Sequence, residues 1–140
     1  MFADDCQVTE LEHTAEIGLQ VYAASPSTLF ACVAHAMFAL VGLTPDTTAP
    51  GVPRQVHITA PDVESLLVDW LSELTYLFEV TGAVMQVVRM EDWSPTTLTA
   101  AVVGYPSTTP PTMHIKAVTY HDLRVGPEDD GWCARVYFDI

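Results

Sequence analysis

The carboxylates near the two ends of the chain are the strongest candidates for a functional site, because carboxylates can bind cations. Glu16 begins a segment that alternates apolar and polar residues, and Asp139 and Ile140 follow the apolar run 136–138. Termini usually fray, but a run this apolar is expected to be tied into a sheet, which would fix both the Asp139 side chain and the Ile140 carboxylate. Hard cations take such oxygen ligands. If the two segments are neighbouring strands, Glu16 and Asp139 could share one cation; the alternative is that carboxylates so distant in sequence are unrelated.

Other polar residues are weaker candidates. Lys116 is the only lysine of the chain and precedes the last predicted strands; it could also simply offset local acidic charge. His13 and His121 could be acid–base groups or metal ligands, or ordinary surface groups. Asp69 and Glu73 are four residues apart on a predicted helix and could form a carboxylate pair, although a solvated helix face is the favoured interpretation.

The sequence lacks the motifs of several enzyme classes. It has no phosphate-cradling glycine-rich loop, no serine nucleophile elbow and no His-x-x-x-His metal pair. No set of residues combines a nucleophile, a base and an orienting group. These observations argue against the enzyme classes that those motifs define.

The charge is strongly acidic, with a formal net charge of −13 at pH 7. Nucleic-acid binding draws most of its affinity from Lys and Arg side chains that neutralise phosphates, and this chain has five such residues. Direct nucleic-acid binding is therefore disfavoured. A bound cation or a protein partner with a basic cleft suits the charge better, and the alternative is that the acidic charge confers only solubility.

The cysteines and the apolar segments bear on compartment. Cys6, Cys32 and Cys133 form no Cys-x-x-Cys pair and no zinc spacing, so we expect three free thiols in a reducing compartment. No apolar run reaches the roughly 18 residues of a membrane span, and the acidic N-terminus lacks the basic region of a signal peptide. We therefore expect a cytoplasmic protein without a membrane anchor.

The periodicity of apolar residues predicts two helices among several strands. Helical spacing with start and stop signals predicts helices over about 26–41 and 62–80. Alternation by two predicts strands over about 16–23, 54–60, 83–92 and 96–103, and the short mixed segment 7–13 is a further candidate strand. The last 25 residues predict a hairpin of strands 116–121 and 132–138 joined by the acidic loop 126–131.

This order predicts an α+β fold in which a mixed or antiparallel sheet packs against two main helices in two layers. The length fits one domain over residues 1–140. The proline-rich segment 43–53 is predicted to be a loop rather than a domain boundary, because neither side is long enough to fold separately.

Four segments together resemble signatures of the archease family. Residues 13–18 (HTAEIG) are similar to that family's His-Thr-Ala-Asp-Ile-Gly signature, and residues 66–74 (LLVDWLSEL) to its second-helix motif. Residues 116–121 (KAVTYH) and 134–140 (ARVYFDI) are similar to its C-terminal signatures. The segments occur in family order and span nearly the whole chain, so together they are specific.

The resemblance implies a small α+β, metal-binding protein that assists the RtcB-type tRNA-splicing RNA ligase. Members of the family promote guanylylation of the ligase's active-site histidine by GTP, sustain multiple turnover and can broaden nucleotide use. They are not ligases themselves: the ligase carries Mn²⁺ and handles the RNA ends. The resemblance thus implies an activator, with any contact to RNA indirect.

The family's metal site maps onto Glu16, Asp139 and the main-chain or terminal oxygen of Ile140, with Lys116 near it and His13 as a further candidate. The implied cofactor is a divalent cation, Ca²⁺ in the first place, with Mg²⁺ or Mn²⁺ as alternatives. Residue 16 departs from the family pattern, which has Asp there. The extra methylene of Glu16 lengthens the reach of the carboxylate. Either the ion must shift, or the coordination by the carboxylate becomes bidentate or passes through a water molecule.

Two other function classes stay open at this point. One is a chaperone-like binding module for RNA-processing enzymes, of which the ligase is one client. The other is a metal-dependent hydrolase that uses Glu16 and Asp139, which the missing nucleophile and base disfavour.

Overall fold

The structure is a computed structural model that describes residues 5–13 and 15–140, apart from the side chain of His13. The elements in chain order are β1 (Cys6–His13), β2 (Glu16–Ala23), α1 (Pro26–Leu40), β3 (Val52–Thr59), α2 (Val63–Thr81), β4 (Val84–Trp93), β5 (Thr97–Tyr105), β6 (Ala117–Val118), β7 (Arg124–Glu128) and β8 (Gly131–Asp139). The predicted helices and strands before residue 106 agree with these bounds to within about two residues.

The strands form two antiparallel sheets. The first sheet has the order β1-β2-β8, and β6 and β7 both pair with the other edge of β8. The second sheet has the order β3-β5-β4. The predicted α+β class with antiparallel strands and two main helices is thus confirmed, with the strands divided between two sheets.

Both helices contact both sheets. Helix α1 packs on β1, β2 and β8 of the first sheet and on β4 of the second, while α2 packs on β6 and β7 and on β3 and β4. Helix α1 carries apolar residues on nearly all sides, as expected for a helix that is buried between the two sheets. Helix α2 buries one stripe of leucines around Trp70 and leaves its other face in solvent.

Local signals fix the helix ends. Ser25 caps α1 by accepting a hydrogen bond from the Thr28 amide, and the proline at the first helical position has no amide to leave unpaired. Asp62 caps α2 through the Ser65 amide at 2.8 Å. Gly82 ends α2 in the left-handed conformation, at φ 75°, which glycine adopts without a Cβ clash.

Aromatic side chains join the two sheets in the core. Trp70 is fully buried and donates its indole N–H to the Phe30 carbonyl at 3.0 Å. The rings of Phe30 and Trp93 pack edge-on at 5.5 Å, and those of Trp93 and Trp132 at 5.6 Å. This chain of contacts runs from α1 through β4 to β8, so both sheets close on one core.

The predicted C-terminal hairpin is wrong in its details. The strand predicted at 116–121 is reduced to the two residues of β6, and residues 126–128 of the predicted loop belong to β7. Strand β7 forms the hairpin with β8 through a tight turn in which Asp129 has φ 52°. Pro127 is tolerated because β7 is paired on one side only, so its missing amide costs no ladder hydrogen bond.

The prediction of three free thiols is also wrong. Cys6 and Cys32 are joined as a disulfide, with 6.5 Å between their Cα atoms. The register that pairs Cys6 with Ala23 places it on the sheet face packed by α1, which carries Cys32. Cys133 has a free thiol, and burial, followed by a hydrogen bond to Glu128, raises the pKa of that thiol.

Within residues 5–13 and 15–140, neither helix is both long and apolar enough to cross a membrane.

Candidate metal centre

The register between β2 and β8 places Glu16 directly opposite Asp139. Successive side chains of a strand point to opposite faces of the sheet. The apolar residues Leu19 and Val136 are buried toward the helices, so Glu16 and Asp139 lie together on the other face. The sheet thus brings together two carboxylates from opposite ends of the chain.

The Glu16 carboxylate has an unsatisfied oxygen. The residue is half-buried, and its Oε2 atom is buried without a hydrogen-bond partner among the described residues. A buried carboxylate oxygen without a donor is costly, because it loses its water without compensation. A second carboxylate opposite adds repulsion. A cation would offset both costs, so the donor set fits a positively charged ligand.

Strand β6 places Lys116 next to the pair. The Lys116 amide donates a hydrogen bond to the Asp139 carbonyl at 2.8 Å, and the next residue, Ala117, is the strand partner of Asp139. The Lys116 residue is exposed, as is Ile140 at 37%. The predicted neighbours Glu16, Asp139, Ile140 and Lys116 therefore meet at one end of the first sheet.

The structure places the ring of one of the two candidate histidines and only the main chain of the other. The main chain of His13 pairs with Glu16 across β1 and β2, but its side chain lies outside the described residues. The His121 ring packs edge-on against the ring of Tyr137, with 5.7 Å between ring centres. His121 therefore contacts a neighbour of the carboxylate pair.

The remaining predicted pair, Asp69 and Glu73, lies on α2, where Asp69 is exposed.

In the described parts of the chain, no three His, Cys, Asp or Glu side chains cluster closely enough to hold a metal ion. A cation at Glu16 and Asp139 would thus complete its coordination with main-chain or terminal oxygens and water. An all-oxygen set of this kind suits Ca²⁺ or Mg²⁺ rather than soft metals.

Gly18 and Tyr137 form a feature of the site that sequence reasoning missed. They are strand partners, one step along the sheet from Glu16 and Asp139 and on the same face. A Cβ on Gly18 would lie 2.7 Å from the Tyr137 ring. The available signal was a glycine inside an alternating strand, which often marks a close approach.

A cavity of about 250 Å³ lies between the helices and the segment 111–115. Its lining is mainly apolar, with residues such as Met37, Phe38, Phe78 and Met113. The titratable groups in its described lining are Glu79 and His114, which are both exposed, with 3.3 Å between Glu79 Oε1 and His114 Nε2. Among the described residues, its lining includes none of the predicted site residues and no catalytic set.

The fold and the site define a class of protein: a small α+β domain of two antiparallel sheets around two helices, with opposed carboxylates at one sheet end. The solution structure of protein 1598 of Methanobacterium thermoautotrophicum has this fold, with a TM-score of 0.70, 24% identity and full coverage of both chains. A crystal structure from Thermotoga maritima, described as an archease and possible chaperone, matches with a TM-score of 0.65 and 20% identity over 94% of this chain and 96% of that one.

Sequence comparison identifies the family. The model of the archease protein family (MTH1598/TM1083) matches residues 9–140. Protein archease of Methanosarcina acetivorans is 39% identical over 137 residues, which cover 93% of each chain. Protein archease of Methanopyrus kandleri is 30% identical and covers 94% of this chain and 97% of its own. The chain belongs to the archease family.

Proposed function

We propose that this protein is a cation-dependent activator of an RtcB-type tRNA-splicing RNA ligase. It would promote guanylylation of the ligase's active-site histidine by GTP and sustain multiple turnover, without joining RNA itself. The observation that carries the proposal is the opposed pair Glu16 and Asp139, in a chain of the archease family. One buried Glu16 oxygen of this pair has no hydrogen-bond partner among the residues that the structure describes.

The residues of this chain divide the work. Glu16, Asp139 and the main-chain or terminal oxygen of Ile140 would hold the cation, and the strand pairing already supplies the position of the two side chains. When bound, the cation would supply positive charge to phosphate oxygens of the nucleotide. Lys116, whose amide donates a hydrogen bond to the Asp139 carbonyl, would add a second positive charge at the same end of the sheet.

The overall charge supports a basic protein partner. With a net charge of −13, the surface would be attracted to a phosphate-binding cleft of a ligase, which is itself basic. Such attraction raises the association rate more than it raises the affinity, and salt screens it. RNA contact in the complex would fall to the ligase.

The test is RNA ligation by the matching ligase, under single-turnover and multiple-turnover conditions, with and without this protein. We expect stimulation mainly of multiple turnover and of ligase guanylylation. Asp139→Ala should lose it while circular dichroism shows a retained fold. Asp69→Ala, which removes an exposed carboxylate outside the pair, is the matched control and should stimulate normally. Full stimulation by Asp139→Ala would exclude the proposed role of the pair.

Electrostatic attraction is tested separately by stopped-flow association with the ligase at increasing salt. We expect the association rate to fall steeply over the range in which the Debye length shortens from about 30 Å to about 8 Å. An association rate that does not change with salt would argue against charge-guided docking and leave the activator role to the ligation assay.

A chaperone-like binding module for RNA-processing enzymes is the second candidate. It is favoured by the description of the Thermotoga maritima relative as a possible chaperone. Pull-down with the ligase and with unrelated RNA-modifying enzymes separates the two functions: the activator binds only the ligase, whereas the general module binds several of them.

A further inference from the structure

Tyr137 occupies an unusual position in the first sheet. It is 9% exposed although it lies on the sheet face opposite the helices. Its ring lies over Gly18, since a Cβ built there would come within 2.7 and 2.8 Å of two ring carbons and 3.0 Å of the Val136 carbonyl. No other residue type leaves room for the ring in this position. The glycine is therefore a seat for the tyrosine.

The seat adjoins the carboxylate pair. Gly18 and Tyr137 are the strand partners next to Glu16 and Asp139 on the same face, so their Cα atoms are roughly 7 Å from those of the pair. The ring over Gly18 thus takes the place beside Glu16 that a shorter side chain would leave to water. This position is consistent with the burial of the Glu16 Oε2 atom.

Two further contacts hold the tyrosine. The His121 ring packs against it edge-on at 5.7 Å. The Tyr137 carbonyl accepts hydrogen bonds from the Thr119 amide at 3.0 Å and the Thr119 hydroxyl at 3.1 Å. The same short stretch that brings Lys116 to Asp139 therefore holds the main chain of Tyr137 through Thr119 and contacts its ring through His121.

We propose that Tyr137, seated on Gly18, is a positioning residue for the cation site: its ring limits the conformations of the Glu16 and Asp139 side chains. The inference rests on the cation site of the proposed function and adds the residue that sets its affinity. Groups that orient metal ligands without touching the ion commonly change metal affinity by about 10-fold to 100-fold when removed.

The first experiment measures Ca²⁺ binding by titration calorimetry. Tyr137→Ala should raise the Kd by about 10-fold or more, whereas Tyr137→Phe, which keeps the ring, should bind within about threefold of the unsubstituted protein. Gly18→Ala should weaken binding because it displaces the ring. The control is Tyr22→Ala, which removes an aromatic ring from the same face at the far end of β2 and should leave the Kd unchanged.

A double variant tests whether glycine and tyrosine act as a unit. If Gly18 matters because it seats the ring, adding Gly18→Ala to Tyr137→Ala should weaken binding little further. Effects that multiply would show two independent contributions and would contradict the seat. Circular dichroism and urea unfolding of each variant separate lost affinity from lost folding, and Tyr137→Phe keeps the test valid if Gly18→Ala does not fold.

A spectroscopic readout locates the ring directly. Tb³⁺ replaces Ca²⁺ at oxygen sites and emits when an excited tyrosine lies close to it. Tyr137→Phe should bind Tb³⁺ with unchanged affinity but lose most of the sensitised emission, while Tyr22→Phe should keep it. This separation would show that the Tyr137 ring lies close to the bound ion, whereas emission that survives in Tyr137→Phe would contradict that position.

The outcomes distinguish the two levels of the proposal. A protein that binds neither Ca²⁺ nor Tb³⁺ would overturn both the cation site and the role of Tyr137. A protein that binds Ca²⁺ but whose Tyr137→Ala and Gly18→Ala variants bind it equally well would overturn the positioning role alone. We expect weaker Ca²⁺ binding in Tyr137→Ala and Gly18→Ala, and nearly unchanged Ca²⁺ affinity in Tyr137→Phe.

Discussion

Replacing Glu16 by Gln should have opposite effects on stability without and with calcium. The substitution keeps the size of the side chain and removes its charge. In the cation-free protein, Glu16 faces Asp139 directly across two strands, and like charges in this position destabilise a sheet. Glu16→Gln should therefore stabilise the protein in the presence of a chelator, although it damages the proposed site.

The magnitude follows from the strand geometry. Side chains of directly opposed strand residues begin about 5 Å apart, where two unit charges repel by about 1 kcal/mol in water and about 3 kcal/mol at an effective dielectric of 20. Both residues are half-buried, and the lower value is the minimum expected because the Glu16 Oε2 atom is itself buried. A gain of about 1 kcal/mol corresponds to a urea midpoint about 0.5 M higher, given a typical slope near 2 kcal/mol/M.

Calcium should reverse the order. At a concentration 100 times the Kd, a ligand that binds only the folded state stabilises it by about 2.7 kcal/mol. The unsubstituted protein should gain this amount, whereas Glu16→Gln should gain little. The assay is urea unfolding in chelator and in Ca²⁺, and the control is Glu10→Gln, an exposed residue of β1 whose strand partner is Leu19 rather than a carboxylate.

A destabilised Glu16→Gln variant in chelator would refute the repulsion argument, since it would mean that the Glu16 charge makes a net favourable contact in the absence of a cation. An equal calcium gain in both proteins would refute the assignment of Glu16 as a ligand. An equal effect of Glu10→Gln would attribute the gain to net charge alone.

Two further predictions concern stability away from the site. Burial holds the pKa of His35 below its ordinary value, and its Nε2 atom accepts the Val87 amide at 2.9 Å, so the folded state needs the neutral ring. This stabilisation is complete above about pH 6.5 and is lost as pH falls from there toward the lowered pKa. The urea midpoint should therefore fall less over this pH range in His35→Gln than in the unsubstituted protein. An identical fall in both proteins would contradict the argument. Thiol titration in denaturant without reductant should find one thiol, that of Cys133, and reduction of Cys6–Cys32 should lower the free energy of unfolding by about 3 kcal/mol; three reactive thiols would refute the disulfide.

The sequence by itself determined the local elements. Helix ends follow from short-range groups, such as the Ser25 and Asp62 caps and the glycine after α2, because capping is settled within one turn of the chain. The faces of β2 also followed from alternation alone, and they place Glu16 away from the core. The resemblance of four segments identified the family, which the comparison over residues 9–140 confirmed.

Only the tertiary structure decided which distant residues meet. The pairing of Glu16 with Asp139, the disulfide between Cys6 and Cys32, and the seat of Tyr137 on Gly18 each join segments whose contact depends on strand order and register. Periodicity shows which face of a strand is buried, but it does not show which strand lies beside it. That choice follows from how both sheets close over the buried helix α1, a packing to which residues throughout the chain contribute.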